Sequence, residues 1–197
     1  MYPSIFTKLI DIFKYLPGVG QKTAERYAFS ILQLSSTQVE DMIKTLESIK
    51  DIKYCNKCHI ITQYETCNIC TNTNRNNSII CVVNNSKDAI AIENIGTYKG
   101  LYHILGNLIS PNKGILPEHI NIDSLLKRIT IDTKEIILAT DPTLDGEITA
   151  LYISKILKNE NIKITRLAHG LPMGSHLDYA DELTLTKAFN GRTQLEE

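Results

Sequence analysis

Residues 55–70 read CNKCHIITQYETCNIC, with four cysteines arranged as two Cys-x-x-Cys pairs. Each pair forms a turn that directs two thiolates at one point, and two such turns supply the sulfur ligands of a closed tetrahedral zinc site. A site without an open position is structural, so we predict one structural Zn²⁺ per chain, held by Cys55, Cys58, Cys67 and Cys70. The surrounding sequence, including residues 71–77, is polar, so we expect metal binding to supply the folding free energy of this segment.

Two disulfides or two redox-active pairs are the alternatives for these cysteines. Residues 1–7 lack a basic region followed by a long apolar run, so we recognise no secretory signal and expect a cytoplasmic protein, where disulfides are rare. Cys81 lies in the apolar run 79–83 and is expected to be a small core residue. His169 and His176, which flank a glycine-containing loop, are expected to be hydrogen-bonded loop residues and not ligands.

The charges of the chain nearly cancel, with 21 lysines and arginines against 22 aspartates and glutamates. No overall positive field exists to attract nucleic acid, so any such contact must come from a local basic patch. No apolar stretch is long enough to span a bilayer, so we expect no membrane contact.

Three amphipathic segments precede the cysteines. Apolar residues recur at helical spacing over residues 5–16, 24–32 and 39–49. Thr37 and Glu40 are predicted to form the capping box of the third helix. We therefore predict an all-helical unit over residues 1–52.

The turn between the first two helices, LPGVG at residues 16–20, is followed by two cations one helical turn apart. The two glycines allow a tight turn and close approach of a partner, while the amides that begin the second helix point outward with the positive end of its dipole. We predict a helix-hairpin-helix that contacts DNA phosphates through Gly18, Gly20, Lys22 and Arg26. An ordinary turn with two solvated cations is the alternative.

From residue 78 onward, short apolar runs alternate with helical segments. Strands are predicted at residues 79–83, 101–105, 135–139 and 163–167, and helices at residues 87–95, 122–129, 146–157 and 178–189. This alternation indicates an α/β fold, a mostly parallel sheet with helices on both faces.

Acidic residues gather in the loop that follows the third of these strands. Asp141, Asp145 and Glu147 lie where ligands bind in an open parallel sheet, and together they could hold Mg²⁺. Helix capping, with Thr143 or Asp145 at the N-cap and Glu147 in the first turn, explains the same residues and is favoured on residue types alone.

Longer stretches follow one another along the chain: LPGVGQKTAERYAF (16–29), the two cysteine pairs, CVVNNSKDAIAIE (81–93), YHILGNLISP (102–111), ILATDPTLDGEITALYI (137–153) and TRLAHGLPMGSHLDYADELTLTKAFNGR (165–192). In this order they resemble the RecR family of bacterial recombination mediators over essentially the whole chain. The resemblance implies a helix-hairpin-helix at residues 1–52, a four-cysteine zinc finger at 53–77, a Toprim domain at 78–173 and a C-terminal segment at 174–197.

The resemblance also implies a role in recombinational DNA repair. Members of this family form ring-like tetramers that can encircle DNA. They act with RecO, and in many bacteria with RecF, to load RecA onto single strands coated by single-strand-binding protein. An acidic surface suits a basic partner, so we expect Asp141, Asp145 and Glu147 to contact RecO.

Whether the Toprim domain is catalytic depends on three carboxylates. Catalytic Toprim domains hold a divalent cation with a Glu at the end of the first strand and an Asp-x-Asp pair after a later one. Here the corresponding residues are Asn84, Asp141 and Thr143, so one acid of three remains, and both replacements also depart from the residues common in the family. We therefore predict a protein that is not an enzyme; the alternative is a small Toprim metal-dependent enzyme acting on nucleic-acid ends.

Overall fold

The computed structural model describes residues 2–168 and 170–194. Over these residues the chain forms two units that divide between Ile52 and Lys53. No helix in the described ranges is long and apolar enough to cross a bilayer.

The two histidines expected in the C-terminal loop differ in what can be said of them. His169 lies outside the described residues, whereas the ring of His176 packs against that of Tyr179, with 6.1 Å between centroids.

Helices make up the first unit: α1 spans Ser4–Phe13, α2 spans Gln21–Ile31 and α3 spans Ser36–Ser48. The core of this unit is small, with Phe6 and Ile10 on α1 against Ala24 and Ala28 on α2. Because the two alanines are small and lie one turn apart on the same face of α2, the helices can approach closely. α3 buries none of its residues.

The start of α3 differs from the prediction. Ser35 is the N-cap, and a capping box joins Ser35 to Gln38, with donor–acceptor distances of 3.3 and 2.9 Å. The predicted box of Thr37 and Glu40 is wrong because the helix already begins at Ser36, which places Thr37 inside its first turn.

The second unit begins with the cysteine module, which we define as residues 53–71. It consists of an antiparallel hairpin and one helical turn: β1 is Lys53–Tyr54, β2 is Ile61–Thr62 and α4 is Asn68–Thr71.

A parallel sheet follows, with the strand order β4-β3-β5-β6. Its elements in chain order are β3 Asn76–Val83, α5 Ser86–Ile95, β4 Gly100–Ile104, α6 Ile122–Leu126, β5 Glu135–Ala139, α7 Leu144–Ile156, β6 Lys163–Arg166 and α8 Glu182–Asn190. From β3 the chain continues to β4 at one edge of the sheet, and from β5 it continues to β6 at the opposite edge. The two connections therefore lead away from each other at the boundary between β3 and β5.

The two faces of the sheet bury two separate cores. Along β3, Ile80 and Val82 belong to one core, together with residues of α6 and α7. Cys81 and Val83 point the other way and share a core with α5 and the cysteine module. This alternation follows from the two-residue period of a strand. It confirms the predicted modules, the parallel sheet with helices on both faces, and the core position of Cys81.

Several predicted helices have different limits in the structure: α1 ends at Phe13 and not at residue 16, and α7 begins at Leu144 and not at residue 146. Two further differences have a clear local cause. α6 ends at Leu126 because the amides of Arg128 and Ile129 bond to carbonyls three residues earlier, which tightens the chain into a turn. The C-terminal helix begins at Glu182 and not at residue 178. Asp181 caps it by accepting the amide of Thr184 at 2.9 Å, and the preceding residues form only a short 3₁₀ turn.

Candidate functional sites

The four predicted metal ligands lie together. The Sγ atoms of Cys55, Cys58, Cys67 and Cys70 are all within 4.8 Å of one another, and none of these cysteines forms a disulfide. Sulfur atoms placed tetrahedrally around zinc are about 3.8 Å apart, given Zn–S bonds of about 2.3 Å. The cluster therefore has the donor set and spacing of a four-coordinate site, and it could bind a metal ion.

Two tight turns produce this convergence. In the first, the amide of Cys55 donates to the carbonyl of Ile60 at 2.8 Å, which closes the hairpin around Cys58. In the second, Cys67 caps α4, and its sulfur accepts the amide of Cys70 at 3.4 Å. The sulfur of Cys55 accepts the amide of Cys67 at 3.3 Å. Amides aimed at sulfur favour the thiolate, which is the form that binds metal.

Hydrogen bonding among the sulfurs further distinguishes the ligands. The Sγ atoms of Cys58 and Cys67 are 3.5 Å apart. Hydrogen bonds with Cys58, and then with Cys70, hold the pKa of the Cys67 thiol far below its usual range, whereas the bond with Cys67 raises the pKa of Cys58. Within this pair, the surroundings favour the thiolate form of Cys67 over that of Cys58.

The cysteine cluster is packed against the sheet, which the sequence did not indicate. Cys55 and Cys58 are fully buried, in a core that also contains Tyr102 and Ile104 of β4. The amide of Ile104 donates to the carbonyl of Cys58 at 2.8 Å. The polar segment thus shares a core with the sheet, because most of the apolar residues around it come from strands and a helix later in the chain.

A partly buried ion pair joins the end of the cysteine-rich region to α5. The guanidinium of Arg75, whose side chain is 7% exposed, binds both carboxylate oxygens of Glu93, and the hydroxyl of Tyr102 donates to the same carboxylate at 2.8 Å. Sequence reasoning missed this pair because 18 residues separate its members and no periodic pattern links them. It positions the loop between the cysteines and β3.

Two histidines lie beside the cysteine cluster without serving as its ligands. His59 has a left-handed backbone, with φ of 62°, and its Nε2 lies 2.8 Å from the hydroxyl of Ser124. His103 is fully buried on β4. Its Nε2 lies 2.7 Å from the carbonyl of Asn121, and Nη1 of Arg128 lies 3.1 Å from its Nδ1. Burial lowers the pKa of His103 to about 3, so the ring is neutral near pH 7.

The turn between α1 and α2 has the geometry of a phosphate-binding hairpin. Gly18 adopts φ of +77°, which strongly favours glycine. Gly20 is the N-cap of α2, and no side-chain hydrogen bond caps this helix. A Cβ atom added at either glycine would meet nothing within 4 Å. The first amides of α2 are therefore left available to a ligand, and the backbone there is open to close approach.

The two predicted phosphate-binding cations accompany this turn. Lys22 and Arg26 lie one turn apart on α2, and both are exposed. Neither forms an ion pair within residues 2–168 and 170–194. The guanidinium of Arg26 lies 5.7 Å from the ring centroid of Tyr27. The structure thus brings all four predicted DNA-contacting residues to the turn and first half of α2.

The acidic loop after β5 is folded tightly onto the start of α7. Thr143, one of the two predicted caps, accepts the amide of Gly146 at 3.2 Å. The hydroxyl of Thr140 donates to the carbonyl of Gly146 at 3.0 Å. A Cβ atom on Gly146 would lie 2.0 Å from the carbonyl oxygen of Asp141, so glycine is required where the loop crosses the helix.

Two of the three acidic residues in this loop bind cations of the same chain. Asp145 lies 3.4 Å from the ammonium of Lys113. Glu147 accepts from Lys187 at 2.6 Å and also from Arg166. Its pKa is lowered, chiefly by the hydrogen bond from Lys187. The three acids therefore share a loop, but the structure does not leave them as a rim of uncompensated charge.

Asn84 is the residue that the resemblance aligns with the first-strand glutamate of catalytic Toprim domains. This residue follows β3, and β3 pairs with β5 up to Val83 opposite Ala139, so Asn84 and Asp141 both follow the neighbouring strand ends where the connections diverge. The Oδ1 atom of Asn84 is buried without a hydrogen-bond partner among the described residues. Thr143 caps α7. Of the three positions that the resemblance singles out, Asp141 is the one that carries a carboxylate.

Comparison with protein-family models assigns each part of the chain. A Toprim domain model matches residues 78–168, which contain the parallel sheet. The RecR helix-hairpin-helix model matches residues 6–50, and the RecR C-terminal model matches residues 170–193. Together, these matches show that the chain belongs to the RecR family of recombination mediators in DNA repair.

Proposed function

We propose that this protein binds DNA as a ring-like tetramer and acts with RecO, and with RecF where it is present, to help load RecA onto single-stranded DNA. The observation that carries the proposal is the start of α2, where unbonded amides, two glycines and two exposed cations converge. Such an arrangement binds phosphates without reading bases, which suits a mediator that must act at any sequence.

The near-neutral charge of the chain supports an oligomer. With a formal net charge of −1, one protomer has no net positive field to attract DNA, so a single copy should bind weakly. A ring would combine the binding surfaces of several protomers through effective concentration, without any new chemistry.

The cysteine cluster fits zinc. Four convergent sulfurs, amide donors to two of them and the burial of three of the four cysteines match a structural site with no open position. A zinc ion there would cross-link the hairpin to α4 and so hold the cysteine module against the sheet. A cytoplasmic location, where disulfides are rare, would keep these four thiols available to the metal.

We propose that the Toprim domain serves as a docking surface and not as a catalyst. Asp141 alone cannot supply the carboxylates that hold a catalytic cation. A basic surface of RecO would instead bind Asp141, Asp145 and Glu147. Cations of RecO would then replace the lysines that bind Asp145 and Glu147 in the free protein. The competing function is that of a small Toprim enzyme acting on nucleic-acid ends. In that case the purified protein would cleave labelled DNA in the presence of Mg²⁺, and the Asp141→Ala variant would not.

The proposed domain limits remain residues 1–52, 53–77, 78–173 and 174–197. The chain's two units divide between Ile52 and Lys53, which supports the first of these limits. The core shared by the cysteine module and the sheet means that the second and third segments would fold together.

The decisive experiment removes the two cations of α2. Lys22→Ala combined with Arg26→Ala should weaken binding to all DNA sequences alike and lower the salt slope by about 0.9 for each duplex phosphate that the variant no longer neutralises. Fluorescence anisotropy over a salt series measures both quantities. Lys155→Ala combined with Lys158→Ala is the matched control, because it removes the same charge from exposed positions of the second unit. Equal binding by the two double variants would contradict the proposal.

A further inference from the structure

A cavity of about 400 Å³ lies between the cysteine module and the first turn of α5. We call it the hairpin cavity; Tyr54 and Ile61 line it from the β1–β2 hairpin, and Ser86 and Lys87 line it from α5. We propose that the hairpin cavity binds an unpaired nucleotide of single-stranded DNA, with the base stacked on Tyr54 and a phosphate near Lys87. The inference rests on the proposed DNA-binding function and adds a preference for single strands.

Tyr54 offers an unused stacking surface. Its side chain is 72% exposed, and within residues 2–168 and 170–194 its ring has no aromatic neighbour and its hydroxyl no hydrogen-bond partner. Tyr98 and Tyr102, in contrast, pack against each other and bond to acceptors in the core. Stacking of a base on an exposed aromatic ring strengthens binding and tolerates every base, because every base has a flat π-face.

The charge around the cavity suits a phosphate. Lys87 is exposed and forms no ion pair with another described residue, and no acidic side chain in the described part of the chain lines the cavity. The nearest acid in sequence, Asp88, is turned back to accept the amide of Asn85 at 3.1 Å in the capping box of α5. A lysine beside an aromatic ring and an apolar wall matches the alternating phosphates and bases of a single strand.

The walls of the cavity are held in place before a ligand arrives. The amide of Ile61 donates to the hydroxyl of Ser86 at 3.1 Å, and the amide of Ile104 donates to the carbonyl of Cys58 at 2.8 Å. Binding therefore requires little ordering of the protein, which favours affinity. The bases of a duplex are stacked on one another, so a flat ring such as Tyr54 can reach only an unpaired base.

The absence of tryptophan from the chain allows a direct test. Tyr54→Trp introduces a single indole whose fluorescence reports stacking when the full-length protein is titrated with oligothymidylate. We expect quenching by oligothymidylate, and none by an abasic deoxyribose-phosphate oligomer of equal length. Tyr54→Ala should weaken binding of oligothymidylate about tenfold, within the range expected when one stacked ring is removed, and leave binding of a blunt duplex within about twofold.

Tyr64→Ala is the matched control, because Tyr64 is an exposed tyrosine of the same module that does not line the cavity. Equal single-strand affinities of the Tyr54→Ala and Tyr64→Ala proteins would overturn the inference while leaving the proposed function standing. Loss of binding to RecO in Tyr54→Ala, with oligothymidylate binding intact, would also overturn it and would assign the cavity to a protein partner. If the wild-type protein binds no DNA, the proposed function fails together with the inference.

Discussion

Gly146 provides a sharp test of how the acidic loop is built. A Cβ atom at this position would lie 2.0 Å from the carbonyl oxygen of Asp141 and 3.0 Å from its carbonyl carbon, whereas ordinary Cβ contacts begin near 3.4 Å. In Gly146→Ala the loop would therefore have to move by more than an ångström. The obstructing atoms belong to the backbone, so no side-chain rotation can relieve the clash.

Two opposing effects set the expected magnitude. Replacing glycine with alanine within a helix contributes about 1 kcal/mol of stability. Displacing the loop costs about 3 kcal/mol, which is the upper end for overpacking, because a backbone segment must move. The net loss is about 2 kcal/mol, which corresponds to a fall in Tm of about 4–8 °C for a unit of this size.

Urea and thermal unfolding followed by circular dichroism measure this loss. Gly170→Ala is the matched control, because it makes the same substitution in the same unit and its Cβ meets nothing within 4 Å; its stability should change by less than about 0.5 kcal/mol. If Gly146→Ala instead raised stability by about 1 kcal/mol, helix propensity alone would govern the site. The loop could not then cross α7 as described.

Three other outcomes are expected. Acid should destabilise the protein through His103, whose pKa is about 3 in the folded state. Below about pH 6.5 this histidine takes up a proton in the unfolded chain but not in the folded one. The free energy of unfolding should therefore fall by about 2 kcal/mol between pH 7 and 5, and further toward pH 3. Urea titrations at several pH values measure this, and a His103→Gln protein whose unfolding free energy changes with pH as in the wild type would contradict it. Cys67→Ser should reduce metal content from about one zinc per chain and lower Tm, whereas metal-free wild-type protein of unaltered Tm would exclude a structural ion. Charge reversal at Asp145 and Glu147 should slow association with RecO at low salt while metal content is retained, and a variant that only loses stability would indicate that these acids serve the fold alone.

Local patterns in the sequence predicted the order of the elements well. The apolar runs 79–83 and 135–139 became β3 and β5, because a run of apolar residues bounded by turns is typical of a strand buried on both faces. Where prediction failed, a neighbouring side chain decided the outcome. The side chains of Asp181 and Ser35 accept hydrogen bonds from nearby backbone amides. α8 and α3 therefore begin at different residues from those predicted.

The interactions that surround the candidate sites could not be read from the sequence. Glu147 was predicted to lie in an acidic loop, yet Arg166 and Lys187 reach it from β6 and α8. The hairpin cavity likewise depends on residues of the cysteine module and of α5 that are more than 20 positions apart in the chain. No periodicity links such residues, since their proximity results from the crossovers of the parallel sheet.

The sequence by itself determined the pairing of four cysteines that could hold a metal ion, the glycine turn with its two cations and the alternation of strands and helices. Each of these features depends on residues that are neighbours in the chain, so spacing alone specifies its geometry. Only the tertiary structure decided that the cysteine cluster shares a core with the sheet, that Glu147 is bound by two cations and that Tyr54 borders a cavity beside Lys87. These features arise from packing between segments that are distant in the chain. The burial and the charged neighbours of each side chain there depend on which other segments the fold brings next to it.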